Sequence, residues 1–224
     1  MRSTTRPALQ RALAALAVLG VFAGAMAGCN IVAPIVLLVA GPPTFEKEFD
    51  LDSDRPTVVF IDDPRSQLPR RALRIELLNA AQDDILRKSL VKDLIDGQAA
   101  VRVADADSTG GQMSVTELGR TIGAEVVIWV TVDQFVRPDT TGDVQPIVSI
   151  RVRVIDAEED TLLYPKSPTG RAVRVTDAVR RGAVANAAGA RSAAEIAIVQ
   201  KVGKAAAQLF YEHPVTEHVA DRGL

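Results

Sequence analysis

Apolar positions along this chain of 224 residues fall into two regimes. The first is a block: an uncharged run from Ala12 to Ala27 holds Leu13, Leu16, Val18, Leu19, Val21 and Phe22, pauses at Gly28-Cys29-Asn30, and resumes from Ile31 to Ala40. A polar, acid-rich stretch from Gly41 to Arg55 follows and reads as an extended spacer, roughly 50 Å long if drawn out at about 3.3 Å per residue. Beyond it the apolar residues become periodic. "PTVVFIDD" (Pro56 to Asp63) is a short β-branched run bounded by prolines and predicts a buried strand. From Arg70 to about Ile95, Leu73, Leu77, Ala81 and Ile85 recur at helical spacing, with Leu78, Leu86, Leu90 and Leu94 on the flank. That pattern predicts an amphipathic helix of about seven turns, opened by Pro69 and terminated by Gly97.

"AAVRVAD" (Ala99 to Asp105) predicts a second strand and "DSTGGQ" its exit loop. Ser114-Val115-Thr116-Glu117 has the form of a capping box, and Leu118 and Ile122 continue a short second helix until Gly123 stops it. "AEVVIWVTVDQFV" (Ala124 to Val136) is apolar at both parities, as in a central strand covered on both faces. In "PIVSIRVRVID", Val148, Ile150, Val152 and Val154 alternate with Ser149, Arg151 and Arg153, so one face is buried and the other wet. Asp156 to Asp160 makes a turn, "TLLYP" a return strand, and "GRAVRVT" continues or replaces it after the interruption at residues 165 to 170. Arg191 to His213 predicts a closing helix on Ile198, Val202, Leu209 and Phe210, ended by Pro214, while residues 177 to 190 fit either a helical start or a loop. The fold class expected is α/β: a mixed sheet, β-α-β-α-β followed by an antiparallel meander and a C-terminal helix. The domain lies in residues 56–213, with a flexible tail at 214–224.

The leading apolar block has its own chemistry. Arg2, Arg6 and Arg11 precede it, and the small residues Ala27 and Gly28 lead into Cys29, the only cysteine. This is the charged, apolar and small-residue order of a secretory signal, and it resembles the lipobox of bacterial lipoproteins, with Met26 where an aliphatic residue is usual. The resemblance implies a signal peptide at 1–28 and a diacylglyceryl group on Cys29 as the first mature residue. An uncleaved membrane anchor and an ordinary secretory peptide are the alternatives. Residues 29–55 then comprise lipid anchor, apolar segment and spacer. Residues 31–40 are too short to span a bilayer, which needs about 20 apolar residues in a helix, so they lie at the membrane surface beside the acyl chains or pack on the domain. The same resemblance implies, from Asn30 after the cysteine, the outer rather than the inner membrane, with the domain facing the periplasm.

Composition limits the chemistry further. Lys plus Arg (26) nearly balance Asp plus Glu (28), which gives no reason to expect nucleic acid as a partner. A single cysteine forms no intramolecular disulfide, and with two histidines it builds no thiolate metal site. Gly110-Gly111 lacks the lysine and hydroxyl of a phosphate-binding loop. His213 and His218 read as exposed tail residues, and no catalytic triad or cofactor is expected. Asp62 and Asp63, and likewise Asp105 and Asp107, stand at strand ends where acids sometimes act, but an ordinary exit loop explains them as well. A hydrolase is therefore the minor alternative. Arg151, Arg153, Arg171 and Arg174, joined by Arg137, would cluster if the meander strands are adjacent, either as solubilising edge residues or as a positive face for an acidic partner.

Three stretches carry a family resemblance: "PTVVFIDD" with its following helix, "LGRTIGAEVVIWVTVDQF", and "IRVRVIDAEEDTLLY". Together they resemble the envelope lipoproteins grouped with the penicillin-binding-protein activator LpoB and the curli secretion protein CsgG, over roughly residues 56 to 210. The resemblance implies no catalytic residues. It implies binding of envelope proteins such as a peptidoglycan synthase, or self-association into a secretion or trafficking complex. The spacer is short beside the long linkers of such activators. The loop "VRPDTTGDVQP" is polar and too short to supply membrane-crossing hairpins, whose strands need about ten residues each.

Overall fold

The computed structural model describes residues 44–107, 113–137, 146–176 and 188–215. Cys29, Asn30, the apolar segment, Gly110-Gly111, His218 and most of residues 177–190 lie outside the described residues. The chain divides into two compact units, Met1–Thr44 and Phe45–Leu224, and the second carries the fold.

Strand β1 (Thr57–Asp62) forms as expected, with Val58, Val59 and Ile61 fully buried. Helix α1 runs from Arg71 to Arg87, shorter than the periodicity suggests. Ser89 takes a left-handed φ of 51°, its N–H reaching the Leu86 carbonyl at 2.9 Å and that of Leu90 the Ile85 carbonyl at 3.1 Å. This pair of reversed bonds closes the helix C-terminus. Leu90 and Leu94 therefore keep the helical spacing without being helical, and Leu94–Ile95 instead forms β2, pairing in parallel with β1.

Gly97 does not terminate α1; it opens the next helix. The expected strand at Ala99 to Asp105 is α2 (Gly97–Ala106), capped by Asp96 accepting from the Gln98 N–H at 2.9 Å. Its buried residues, Gly97, Ala100 and Val101, share one helical face. A Cβ on Gly97 would stand 2.3 Å from the Val59 carbonyl oxygen, so only glycine lets the helix start this close to β1. Helix α3 (Val115–Ile122) keeps its capping box, with Ser114 and Glu117 each satisfying the other's backbone donor, and ends at Gly123 with φ 80°.

Strand β3 (Val126–Val136) pairs in parallel with β1 and antiparallel with β4 (Ile147–Asp156). Strands β5 (Thr161–Tyr164) and β6 (Arg171–Thr176) both pair with β4, the first over Val154 to Asp156 and the second over Ile147 to Val152. "GRAVRVT" thus continues the same sheet edge after the interruption. The order across the sheet is β2-β1-β3-β4 with β5 and β6 sharing the outer position. Helix α4 (Ala188–Ala207) and a 3-10 turn (Gln208–Phe210) close the chain earlier than the expected His213.

Strand alternation divides the side chains between two faces. Val59, Ile61, Ile128, Val130 and Val132, with Val148, Ile150, Val152 and Val154 of β4, point to one face, where α1 and α4 pack on the sheet and on each other. On the opposite face α3 lies over Val127, against which Gly119 fits. The architecture is the mixed α/β sheet with a C-terminal helix that the sequence predicts.

Residues 45–55, expected as spacer, belong to the folded unit. The Glu48 N–H bonds the Leu209 carbonyl at 2.8 Å, Phe49 packs on the rings of Tyr164 and Phe210, and the Ser53 carbonyl accepts from the Lys92 N–H at 2.9 Å. Arg55 reaches Glu125 at 3.0 Å and buried Asp156 at 2.8 Å.

Candidate functional site

Among the described residues, the face opposite α1 and α4 is only partly covered, and its register decides which side chains meet there. Phe60 on β1 is opposite Trp129 on β3, Trp129 is opposite Arg153 on β4, and Val127 is opposite Ile155. All point the same way. The side chains of Phe60, Trp129 and Ile155 floor a groove of about 750 Å³, walled by the C-terminal end of α2 and the N-terminal end of α3. Among the described residues, its ionisable lining groups are Asp62, Asp107 and Asp160.

The groove's polar groups are held in place. Trp129 donates its Nε1–H to Asp62 at 3.3 Å, Asp107 accepts from the Met113 N–H at 2.7 Å, and Thr116 donates to Asp160 at 2.5 Å. The Arg153 guanidinium stacks 4.0 Å from the centre of the Trp129 ring, a cation-π contact. Burial raises the Asp62 carboxyl above its ordinary value, and the Trp129 hydrogen bond and Arg74 oppose this only in part. Burial also lowers the Arg153 guanidinium, helped by the neighbouring charge of Arg151. Arg153 Nε and Thr131 Oγ1 are buried without a hydrogen-bond partner among the described residues.

The five arginines of the expected cluster do not all come together. Arg151, Arg153 and Arg174 share the partly covered face, since Arg174 is opposite Ser149 and alternates in phase with the other two. There Arg151 pairs with Asp133 at 2.8 Å. Arg171 is opposite Val152 and so points to the other face, where it reaches Glu48 at 2.7 Å. That contact raises the Arg171 guanidinium, while burial and the hydrogen bond to Glu48 raise the phenol of Tyr164. Arg137 stands beyond the end of β3 and approaches Glu195 of α4 at 3.6 Å.

The remaining candidates have structural partners. Asp63 accepts the N–H groups of Gln67 and Leu68 at 2.7 and 2.8 Å, ordering the loop after β1. Asp105 pairs with Arg71 and Arg74. His213, expected as an exposed tail residue, is buried between Phe45 and Tyr211, its Nδ1 3.1 Å from the Tyr211 carbonyl. The chain turns inward there because Tyr211 is itself anchored, its hydroxyl donating to buried Asp84 at 2.5 Å. Among the described residues no group of acids, histidines or cysteines is placed to hold a metal ion, and no helix is long and apolar enough to cross a membrane.

Trp129 and the groove it floors were not singled out by the sequence pattern. The one available signal was the only tryptophan of the chain in a strand otherwise built from small β-branched residues.

No family model and no curated protein matches this chain. Solved structures similar to it include the PelC dodecamer from Paraburkholderia phytofirmans, at 13% identity and a TM-score of 0.39, covering 73% of this chain and 94% of that one. Lipoprotein GNA1162 from Neisseria meningitidis is similar at 12% identity and a TM-score of 0.39, covering 66% and 97% respectively. The LpoB C-terminal domain from Salmonella enterica is similar at 10% identity and a TM-score of 0.34, covering 56% and 85%.

Proposed function

We propose that this chain is a lipid-anchored protein of the bacterial envelope that acts by binding other proteins, not by catalysis. The observation that carries the reading is the order Ala27-Gly28-Cys29 at the end of the leading apolar run, followed closely by a folded unit that begins at Phe45. The intervening chain reaches roughly 50 Å when extended, so the anchor holds the domain near its membrane and raises its local concentration there. Asn30 favours the outer membrane. The partly covered sheet face, with its tryptophan, arginines and aspartates, supplies the contact surface, and the resemblance to the LpoB and CsgG group supports an envelope protein such as a peptidoglycan synthase as the partner.

Metabolic labelling with palmitate tests the anchor: label on the wild-type chain that disappears in Cys29→Ala supports it, and label that persists in the variant overturns it. Cross-linking in cells tests the partner, and capture of envelope enzymes is the expected result. A second reading, a subunit of an oligomeric secretion or trafficking complex, is favoured by the outer edge strand β5, where Leu162 and Leu163 are exposed. Cross-links found only between copies of the chain would put that reading first.

A further inference from the structure

We infer that the groove floored by Phe60, Trp129 and Ile155 docks a short segment of a partner protein in which basic side chains flank apolar ones. The inference rests on the protein-binding reading above and names the chemistry of the partner. Its first support is the lining. The floor is aromatic and aliphatic, whereas among the described residues every ionisable one lining the groove is an aspartate: Asp62, Asp107 and Asp160. An apolar body with cationic ends satisfies both parts, and an acidic segment would place like charges together in a partly desolvated cleft.

Unused bonding capacity is the second support. An ionised carboxylate offers about four acceptor positions. Asp62 is engaged by the indole N–H, Asp107 by one backbone N–H and Asp160 by one hydroxyl. Each of these contacts fixes the carboxylate's direction and leaves it able to accept a lysine or arginine. The cations nearest Asp62 are already committed, Arg74 donating to the Ile61 carbonyl at 2.7 Å and Arg153 lying on the Trp129 ring. The groove volume, about 750 Å³, lies within the range of ligand sites, roughly 300–1,000 Å³. It suits a few side chains of an extended segment.

Trp129 is the chain's only tryptophan, so its fluorescence reports on this groove alone. The purified full chain is titrated with acetyl-Lys-Leu-Leu-Lys-amide and, separately, with acetyl-Glu-Leu-Leu-Glu-amide. The lysine peptide is expected to shift the emission saturably and the glutamate peptide to leave it unchanged. In the double variant Asp62→Asn, Asp160→Asn both side chains can still accept their present hydrogen bonds, so the fold is retained, as circular dichroism would verify. Its affinity for the lysine peptide is expected to fall about tenfold, the loss of two partly exposed charge pairs. Equal response to both peptides, no response to either, or undiminished binding by the double variant overturns the inference. A shift that follows protein concentration without peptide also overturns it, assigning the groove to a second copy. None of these results alters palmitate labelling at Cys29 or cross-linking in cells, so the groove can fail while the anchored binding protein stands.

Discussion

Asp62 is a carboxylate whose ionisation costs the fold something. It closes β1, is half-buried in the groove, and burial lifts its pKa above the ordinary carboxylate value. The folded state therefore binds this proton more tightly than the unfolded chain does. The penalty is absent below the ordinary carboxylate pKa, grows as pH rises from there to the folded value, and persists above it. Asp62→Asn, which can still accept from Trp129, should raise the melting temperature at pH 7 by a few degrees, with the difference shrinking as pH falls toward 3. Melting curves of the two chains at several pH values measure this, and an equal or lower melting temperature at pH 7 would contradict it. Asp156 has the opposite balance. Arg55 holds its carboxyl below the ordinary range, overriding burial, so its stabilisation is full near neutrality and is lost as pH falls through the folded value.

At the scale of elements, helices α1 and α4 meet at a backbone contact that tolerates no side chain. A Cβ on Gly203 would lie 2.4 Å from the Leu77 carbonyl oxygen and 2.9 Å from the Ala80 Cβ. Gly203→Ala must push the helices apart along a face where Leu73, Leu77, Ile198 and Val202 are fully buried. We expect a loss of about 1–3 kcal/mol, read as a lower urea midpoint with an unchanged slope. The elements also show how far the pattern of residues could be read in advance. Strands β1, β3 and β4, the capping box of α3 and the alternation that puts Arg151 and Arg153 on one face were legible because each rests on local periodicity. The short helix α2 was not, since "AAVRVAD" fits either period over seven residues and only the close approach of Gly97 to β1 decides it. The groove was illegible for a related reason. It depends on the register that sets Phe60 beside Trp129 across two strands far apart in sequence, and on a helix wall whose residues also fit a strand. Arg171 does not join Arg174 because the two stand three positions apart in β6, an odd separation that strand alternation sends to opposite faces.

For the whole molecule, the decisive feature is where the fold begins. Composition places that point at Pro56, because residues 41–55 are polar and acid-rich. The structure places it at Phe45, because acids in that stretch find basic and backbone partners that no local pattern reveals. Glu48 ties the segment to Arg171 and Tyr164 of the sheet, Phe49 fills the gap beside Phe210, and Arg55 neutralises Asp156, only 5% of whose surface is exposed. A chain beginning at Pro56 would lose all three and leave that carboxylate without its cation. Removing one partner of a buried pair costs about 3–5 kcal/mol, a large part of the roughly 5–15 kcal/mol that stabilises an ordinary domain. A chain beginning at Phe45 should therefore unfold in urea at the midpoint of the full chain, and one beginning at Pro56 at a much lower midpoint or without a cooperative transition. Full-length Arg55→Met should fall between them, since it removes the cation and keeps Glu48 and Phe49. Equal midpoints for the two shortened chains would return residues 45–55 to the spacer that composition predicts.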